Sequence, residues 1–283
     1  MPGTLELFRN HVSTLSGGTR TAVKLGRPWQ RNIAIIAENE CPFETKPQTV
    51  LDEMETAEGN WRVLDNIATP YQWHRLLIPE KCWKEPQLRT LGGSRQIANA
   101  LTLAGRTMKK EGVTNRACLG IHVGWHAGQN VSHPHYHLVK PYELNNGRDF
   151  NLPNGCAEAT EIIRTGNFAI FCGGYMTGQC QIIPTNNERD AFYEQGMEEH
   201  MELATALARL LQMFNKAFAS TEGMPPDFRL GLQIENGFFM RGTYTPILNQ
   251  LGFDADIAAI ERTPYVLAWT HESTAAHLRS KQE

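Results

Sequence analysis

Hydrophobic and polar positions along the chain fall into two kinds of run. Short runs that are apolar throughout, or that alternate, predict strands over 32–37, 61–65, 74–78, 116–123 and 130–139. Pro79 closes the third of these, because proline cannot continue a ladder. Helical spacing is seen twice. Leu91, Ile97, Leu101 and Leu103 predict a helix over 88–110, and 198–218 reads as a strongly amphipathic one. Further strands are predicted over 167–171, 179–183, 228–235 and 243–248, with a last helix from near His271. Cys41-Pro-Phe-Glu44 reads as a turn, 124–129 as a glycine-containing turn, and the polar, basic residues 1–30 as a loosely attached arm.

The order of these elements repeats. His74-Arg-Leu-Leu-Ile-Pro79 aligns with Gln179-Cys-Gln-Ile-Ile-Pro184, and Cys118-Leu-Gly-Ile-His122 with Arg229-Leu-Gly-Leu-Gln233. Both matches have nearly the same offset, and each copy has its long helix between them. This reads as an internal duplication. It predicts an α+β chain of two tandem halves, each an antiparallel sheet with a packed helix. The copies differ in one chemically important way. Three histidines stand at 133, 135 and 137, whereas the second copy carries Thr243-Tyr-Thr245, so the second half is degenerate. It is a scaffold, or it supplies groups to the neighbouring site.

Composition narrows the function classes. A chain of 283 residues can bury a substantial core. A net charge of -3 and the absence of any basic run disfavour a polynucleotide partner. No apolar stretch approaches the roughly 20 residues that span a bilayer, and residues 1–26 lack an apolar leader core. The expectation is a cytoplasmic protein with no membrane partner. The six cysteines are scattered, which in a reducing compartment makes them free thiols or metal ligands.

The alternate histidines of His133-Pro-His135-Tyr-His137 are the main chemical signal. On a strand they would share one face. Three imidazoles side by side do not make a core, since each ring needs hydrogen-bond partners. Two chemistries fit. Histidines so spaced bind zinc and leave a position for water. Alternatively, a neutral imidazole attacks phosphorus and forms a phosphoramidate. The turn at 124–129, whose backbone N–H groups could face an anion, suits the second better. A nucleotide-binding protein without chemistry is the third reading.

Gly128-Gln-Asn-Val-Ser-His133-Pro-His135-Tyr-His137-Leu-Val139 resembles the histidine-triad signature, and His133-Pro-His135 resembles the His-Pro-His of the galactose-1-phosphate uridylyltransferase family, a branch of the same superfamily. Residues 65–79 resemble the strand pair preceding the triad, and 246–253 with 271–279 resemble the end of the transferase's second half. The resemblance implies a histidine-bearing catalytic half over 31–145 and a degenerate half over 146–283. It implies a nucleotidyltransferase, phosphorylase or hydrolase acting on a nucleotide or nucleotide-sugar substrate, as a monomer or homodimer. His135 would carry the nucleotide covalently, with His133 and His137 orienting it. Asn66 would contact the ribose, His74 would lie near the nucleotide, and His122, Gln129 and Asn130 would match phosphate-contacting positions. One departure matters. The uridylyltransferases have Gln two residues after the nucleophile, whereas His137 is the hydrolase and phosphorylase choice. The resemblance further implies a structural zinc on Cys41, Glu44, Cys82 and His133, two of which differ in type from the relatives' ligands but remain zinc-binding side chains.

Overall fold

Strict alternation builds the middle of the molecule. In β4 (Arg116–Val123) the side chains of Ala117, Leu119, Ile121 and Val123 are buried, while those between them are only partly so. β9 (Asp227–Glu235) repeats the pattern with Phe228, Leu230, Leu232 and Ile234. The two strands pair antiparallel from Arg116↔Glu235 to Val123↔Phe228, so their apolar faces form one surface. Two helices cover it, α3 (Ser94–Lys110) and α4 (Met197–Ala217), which also pack on each other. Each leucine fully buried there is worth about 1.5–3 kcal/mol.

The structure, a computed structural model, describes residues 41–45, 48–66, 71, 73–124, 127, 129, 131, 133–140, 160–173, 178–186, 190–218, 226–247 and 271–280. The expected arm over 1–30 and strand over 32–37 lie outside them. The other strands are β1 (Val50–Met54), β2 (Trp61–Asp65), β3 (Trp73–Pro79), β5 (Tyr136–Lys140), β6 (Thr160–Arg164), β7 (Phe168–Cys172), β8 (Cys180–Pro184) and β10 (Phe238–Ile247). The remaining helices are α1 (Pro42–Thr45), α2 (Glu85–Arg89) and α5 (His271–Arg279). One antiparallel sheet runs in the order β1-β2-β3-β5-β4-β9-β10-β8-β7-β6. Read inward from each edge, the succession is the same, with α3 following β3 and α4 following β8. The α+β reading and the repeated order therefore hold. No helix among the described residues is long and apolar enough to cross a membrane.

Four sequence expectations change. The turn at Cys41–Glu44 contains a short helix, α1. The helix expected over 88–110 is two helices, broken where Leu91, Gly92 and Gly93 take φ of 51°, 72° and 86°. Two glycines in succession make that left-handed break inexpensive, and Leu91 accepts it to bury its side chain completely. The strand expected over 130–139 is regular only from Tyr136, so His133 and His135 precede β5. β10 starts at Phe238, after the Asn236-Gly237 turn in which both residues have positive φ. The pattern also missed β1 and β6, the two sheet edges. Their charged residues, Asp52, Glu53, Glu161 and Arg164, suit an edge but blur the alternation.

Helix ends are satisfied locally. Gly196 N–H donates to Glu199 Oε2 at the start of α4 (2.9 Å), and His277 Nε2–H donates to the Ala217 carbonyl at its end (3.0 Å). Between the long helices lies His200, 1 % exposed, with Nδ1 3.1 Å from Thr102 Oγ1 and its ring 4.7 Å from that of Phe192. Burial pushes its pKa down from 6.5 to about 4. The folded chain keeps this ring neutral while the unfolded chain protonates it below pH 6.5. The contribution is therefore fully present above pH 6.5 and is lost as pH falls towards 4, about 3 kcal/mol in all. We predict a steeper fall in melting temperature between pH 6.5 and 4 for the wild type than for His200→Gln. Parallel curves would contradict this.

Candidate functional site

The sheet face away from α3 and α4 gathers histidines from three neighbouring strands. His137 of β5 pairs with Leu76 of β3 on one side and Gly120 of β4 on the other. Two residues along each neighbour, on the same face, come His74 and His122. His74 Nε2 lies 2.9 Å from His137 Nδ1, a hydrogen bond. The His122 ring centroid is 5.9 Å from that of His137, and the His135 centroid is 5.0 Å from it, edge to face. Asn66, at the end of β2, brings Nδ2 to 3.3 Å from His74 Nε2, while its N–H donates to the His74 carbonyl. Tyr71 stands edge-on to His74 at 5.7 Å.

His135 is held in one tautomer. Its Nδ1 is 2.8 Å from the His133 carbonyl oxygen. A carbonyl can only accept, so Nδ1 carries the proton, and in the neutral ring Nε2 carries the lone pair. Burial pushes the His135 pKa below its ordinary value, which favours that neutral ring.

His133 does not join the row. The sequence pattern expects its ring beside the other two; instead it leaves that face, because the chain is not yet in a strand at this point. The ring is fully buried, with Nε2 2.7 Å from the Pro79 carbonyl and Nδ1 facing two cysteines. Cys82 Sγ lies 3.0 Å and Cys41 Sγ 3.4 Å from Nδ1, and Glu44 Oε1 lies 3.8 Å away. Nε2 must donate to Pro79, so Nδ1 presents a lone pair to the sulfurs. Burial pushes His133 down to about 4, which keeps it a neutral ligand. Phe43, between Cys41 and Glu44 in the sequence, packs against both His133 (5.3 Å) and His135 (5.8 Å).

These residues fit a metal ion. Zinc bond lengths imply ligand–ligand edges of about 3.3–3.8 Å in a tetrahedron, close to the donor separations here. Cys41, Cys82 and His133 offer donors all within 4.8 Å of one another. The carboxylate of Glu44 stands at the rim and also accepts the Cys82 N–H at 2.7 Å. Electrostatics agree. Burial, then the neighbouring Cys41 and Glu44, pushes the Cys82 thiol well up. The nearby guanidinium of Arg62 is engaged with the Phe43 and Glu80 carbonyls. A divalent cation would reverse that penalty.

Of the 124–129 turn, Gly124, Ala127 and Gln129 are described. Gln129 is buried; its Oε1 accepts Gly124 N–H at 2.7 Å and its Nε2 donates to the Val131 carbonyl at 2.8 Å. Its side chain thus braces the turn. Gly124 has φ of 90°, and a Cβ there would lie 1.9 Å from Asp227 Oδ1. Asn130 lies outside the described residues. Of the residues singled out from sequence, His74, His122, His135, His137 and Asn66 are brought together, while His133, Cys41, Cys82 and Glu44 form a second cluster beside them. Phe43 and Tyr71 were not anticipated. Phe43 was signalled only as an aromatic residue between two ligand-type side chains.

Comparison with known proteins gives a consistent picture. A family model described as HIT domain matches residues 57–144. Among curated proteins, none matches the chain. Among solved structures, an ADP-glucose phosphorylase from Arabidopsis thaliana with bound ADP-glucose is similar over 84% of this chain and 90% of its own, at 15% identity and a TM-score of 0.62. A GalT-like protein from the same plant is similar over 84% and 90%, at 14% identity and a TM-score of 0.61. A uridylyltransferase mutant is similar over 87% and 92%, at 16% identity and a TM-score of 0.63. At these identities the likeness is one of fold. Residues 57–144 match the HIT domain model, and the chain shares its fold with the GalT-like protein, the ADP-glucose phosphorylase and the uridylyltransferase.

Proposed function

We infer that the chain is an enzyme that transfers a nucleotidyl group through a covalent adduct on His135, from a nucleoside diphosphate derivative such as a nucleotide sugar, or from a dinucleotide. The observation that carries this is the hydrogen bond from His135 Nδ1 to the His133 carbonyl. It leaves the Nε2 lone pair available beside three further histidines. The fold shared with a uridylyltransferase and an ADP-glucose phosphorylase supports the same class.

In the reaction, neutral His135 uses the Nε2 lone pair to attack the α-phosphorus in line. The N–P bond forms as the bond from phosphorus to the bridging oxygen breaks, and its electron pair leaves with the departing phosphate. An oxygen of an acceptor phosphate, or of water that gives up one proton to Nε2 or solvent, then attacks the same phosphorus. The P–N bond breaks and its electrons return to Nε2. Backbone groups of the turn over 127–130 stabilise the charge that develops on the phosphoryl oxygens. His137, hydrogen-bonded to His74, holds its ring against His135, and Asn66 contacts the ribose. His122 lies close to the phosphate. The histidine-bearing half spans 31–145 and the second half 146–283. A metal site shared by all three triad histidines fits less well, because both His133 nitrogens face partners elsewhere. Cys41, Cys82 and His133, with Glu44 at the rim, instead hold a zinc ion that ties the segment before β1 to the triad.

Two outcomes follow. His135→Ala or His135→Asn should keep the fold but lower turnover at least ~10³-fold, with loss of the acid-labile nucleotidyl adduct that mass analysis finds after incubation with α-labelled nucleotides. Wild-type turnover in either variant would contradict the assignment, and binding without any adduct in the wild type would indicate a protein that only binds nucleotide. Zinc should be retained by His135→Ala and lost by Cys41→Ser, Cys82→Ser or His133→Ala. At a hundredfold excess over its dissociation constant it should stabilise the wild type by about 2.7 kcal/mol. Zinc lost with His135 but kept without Cys82 would sink that reading.

A further inference from the structure

The second half carries no histidines at the corresponding positions, yet one of its side chains reaches the first half's turn. Arg229 of β9 pairs directly with His122 of β4, so both side chains leave the sheet on the histidine face. Its Nε–H donates to the carbonyl of Ala127, inside the 124–129 turn, at 3.0 Å. Just before it on the same strand, Asp227 receives Arg89 at 2.5 Å and packs its carboxylate over Gly124, where the turn begins.

The row across the sheet extends further. Gly120 pairs with His137, whose ring lies 5.0 Å from that of His135 and 5.9 Å from that of His122, the pairing partner of Arg229. His137, His122 and Arg229 therefore lie on one face of three adjacent strands, with His135 just before β5. Two strand spacings separate the first backbone from the last, about 10 Å. A phosphate joined to the phosphorus at His135 would extend into that interval, within reach of an extended arginine side chain.

The remaining guanidinium nitrogens of Arg229 make no other hydrogen bond or ion pair among the described residues, and the side chain is exposed. Other arginines on the first half's strands are already engaged. Arg75 holds Asp65 and Glu111, and Arg62 holds the Phe43 and Glu80 carbonyls. A phosphate dianion beside neutral imidazoles in a chain of net charge -3 needs a cation. We propose that Arg229, lent by the degenerate half, is the anion-binding residue of the histidine site. It takes the phosphate next to the one His135 attacks: the departing phosphate, and then the acceptor phosphate that resolves the adduct. One edge of its fork fixes the turn and the other binds the oxyanion, a geometry a lysine cannot reproduce.

The proposal rests on the nucleotidyl-transfer reading for its kinetic consequence but not for its binding consequence, so two measurements separate them. Arg229→Gln keeps an N–H able to reach the Ala127 carbonyl while removing the charge. Titration calorimetry with inorganic phosphate, on the full chain, should show affinity lowered about 10- to 100-fold, with Arg229→Lys between the two. In the transfer reaction the KM for inorganic phosphate should rise by a similar factor, and nucleotidyl-His135 should form more slowly, because the same guanidinium holds the departing phosphate, while the melting temperature stays at the wild-type value. Equal phosphate affinity in wild type and Arg229→Gln would overturn the proposal. So would a variant that loses adduct and thermal stability together with unchanged phosphate KM, since Arg229 would then only support the turn. If the wild type forms no adduct, the transfer reading falls and the calorimetric comparison still decides the role of Arg229.

Discussion

A neutral imidazole has one proton, and at His135 it is committed to the backbone carbonyl of His133. Everything the site can do follows from that constraint. The bond leaves Nε2 with its lone pair, and the burial that lowers the ring's basicity keeps it neutral. The carbonyl that accepts the bond must be rigid. It belongs to a residue whose ring is fully buried, hydrogen-bonded to Pro79 at one nitrogen and faced by two cysteines at the other. The thiol-rich cluster and the His135 ring are thus joined by one short covalent path, His133 to His135, with Phe43 packed on both rings.

The sheet makes this arrangement possible. Histidines 74, 122 and 137 come from three adjacent strands, and only exact pairing brings them to one face; a slip of one residue would turn each ring into the helical layer. The β4–β9 seam then joins the histidine-bearing half to its degenerate counterpart without a break in the ladder. Asp227 and Arg229 reach the turn across that seam. The second half has no histidines at the positions matching the row, yet it contributes side chains to the turn beside it.

Much of this was legible in the sequence. β4 was bounded correctly because its alternation is uninterrupted, and the duplicated order anticipated the mirrored succession of strands. The cluster of Cys41, Glu44, Cys82 and His133 was implied by resemblance to a known family. What escaped was set by tertiary context. Nothing local marks where β5 begins, so His133 was expected in a row with residues from which it turns away. The edge strands β1 and β6 have too many charged residues for alternation to reveal them. The long helix was expected to be continuous because the hydrophobic spacing spans its break, although Gly92 and Gly93 marked it. The Asn236-Gly237 turn is a hairpin signal that the sequence carries locally. Gln129 has the side chain of a phosphate ligand, yet both ends of its amide brace the turn, which only the fold reveals.

The claim on which the account turns is the protonation state of one ring. Nitrogen NMR of protein labelled in its histidines, with His135 assigned by comparison with His135→Asn, reads that state directly. The expected result is a neutral ring at pH 7 bearing its proton on Nδ1 and a bare Nε2. A proton on Nε2, or a fully protonated imidazolium at that pH, would contradict it.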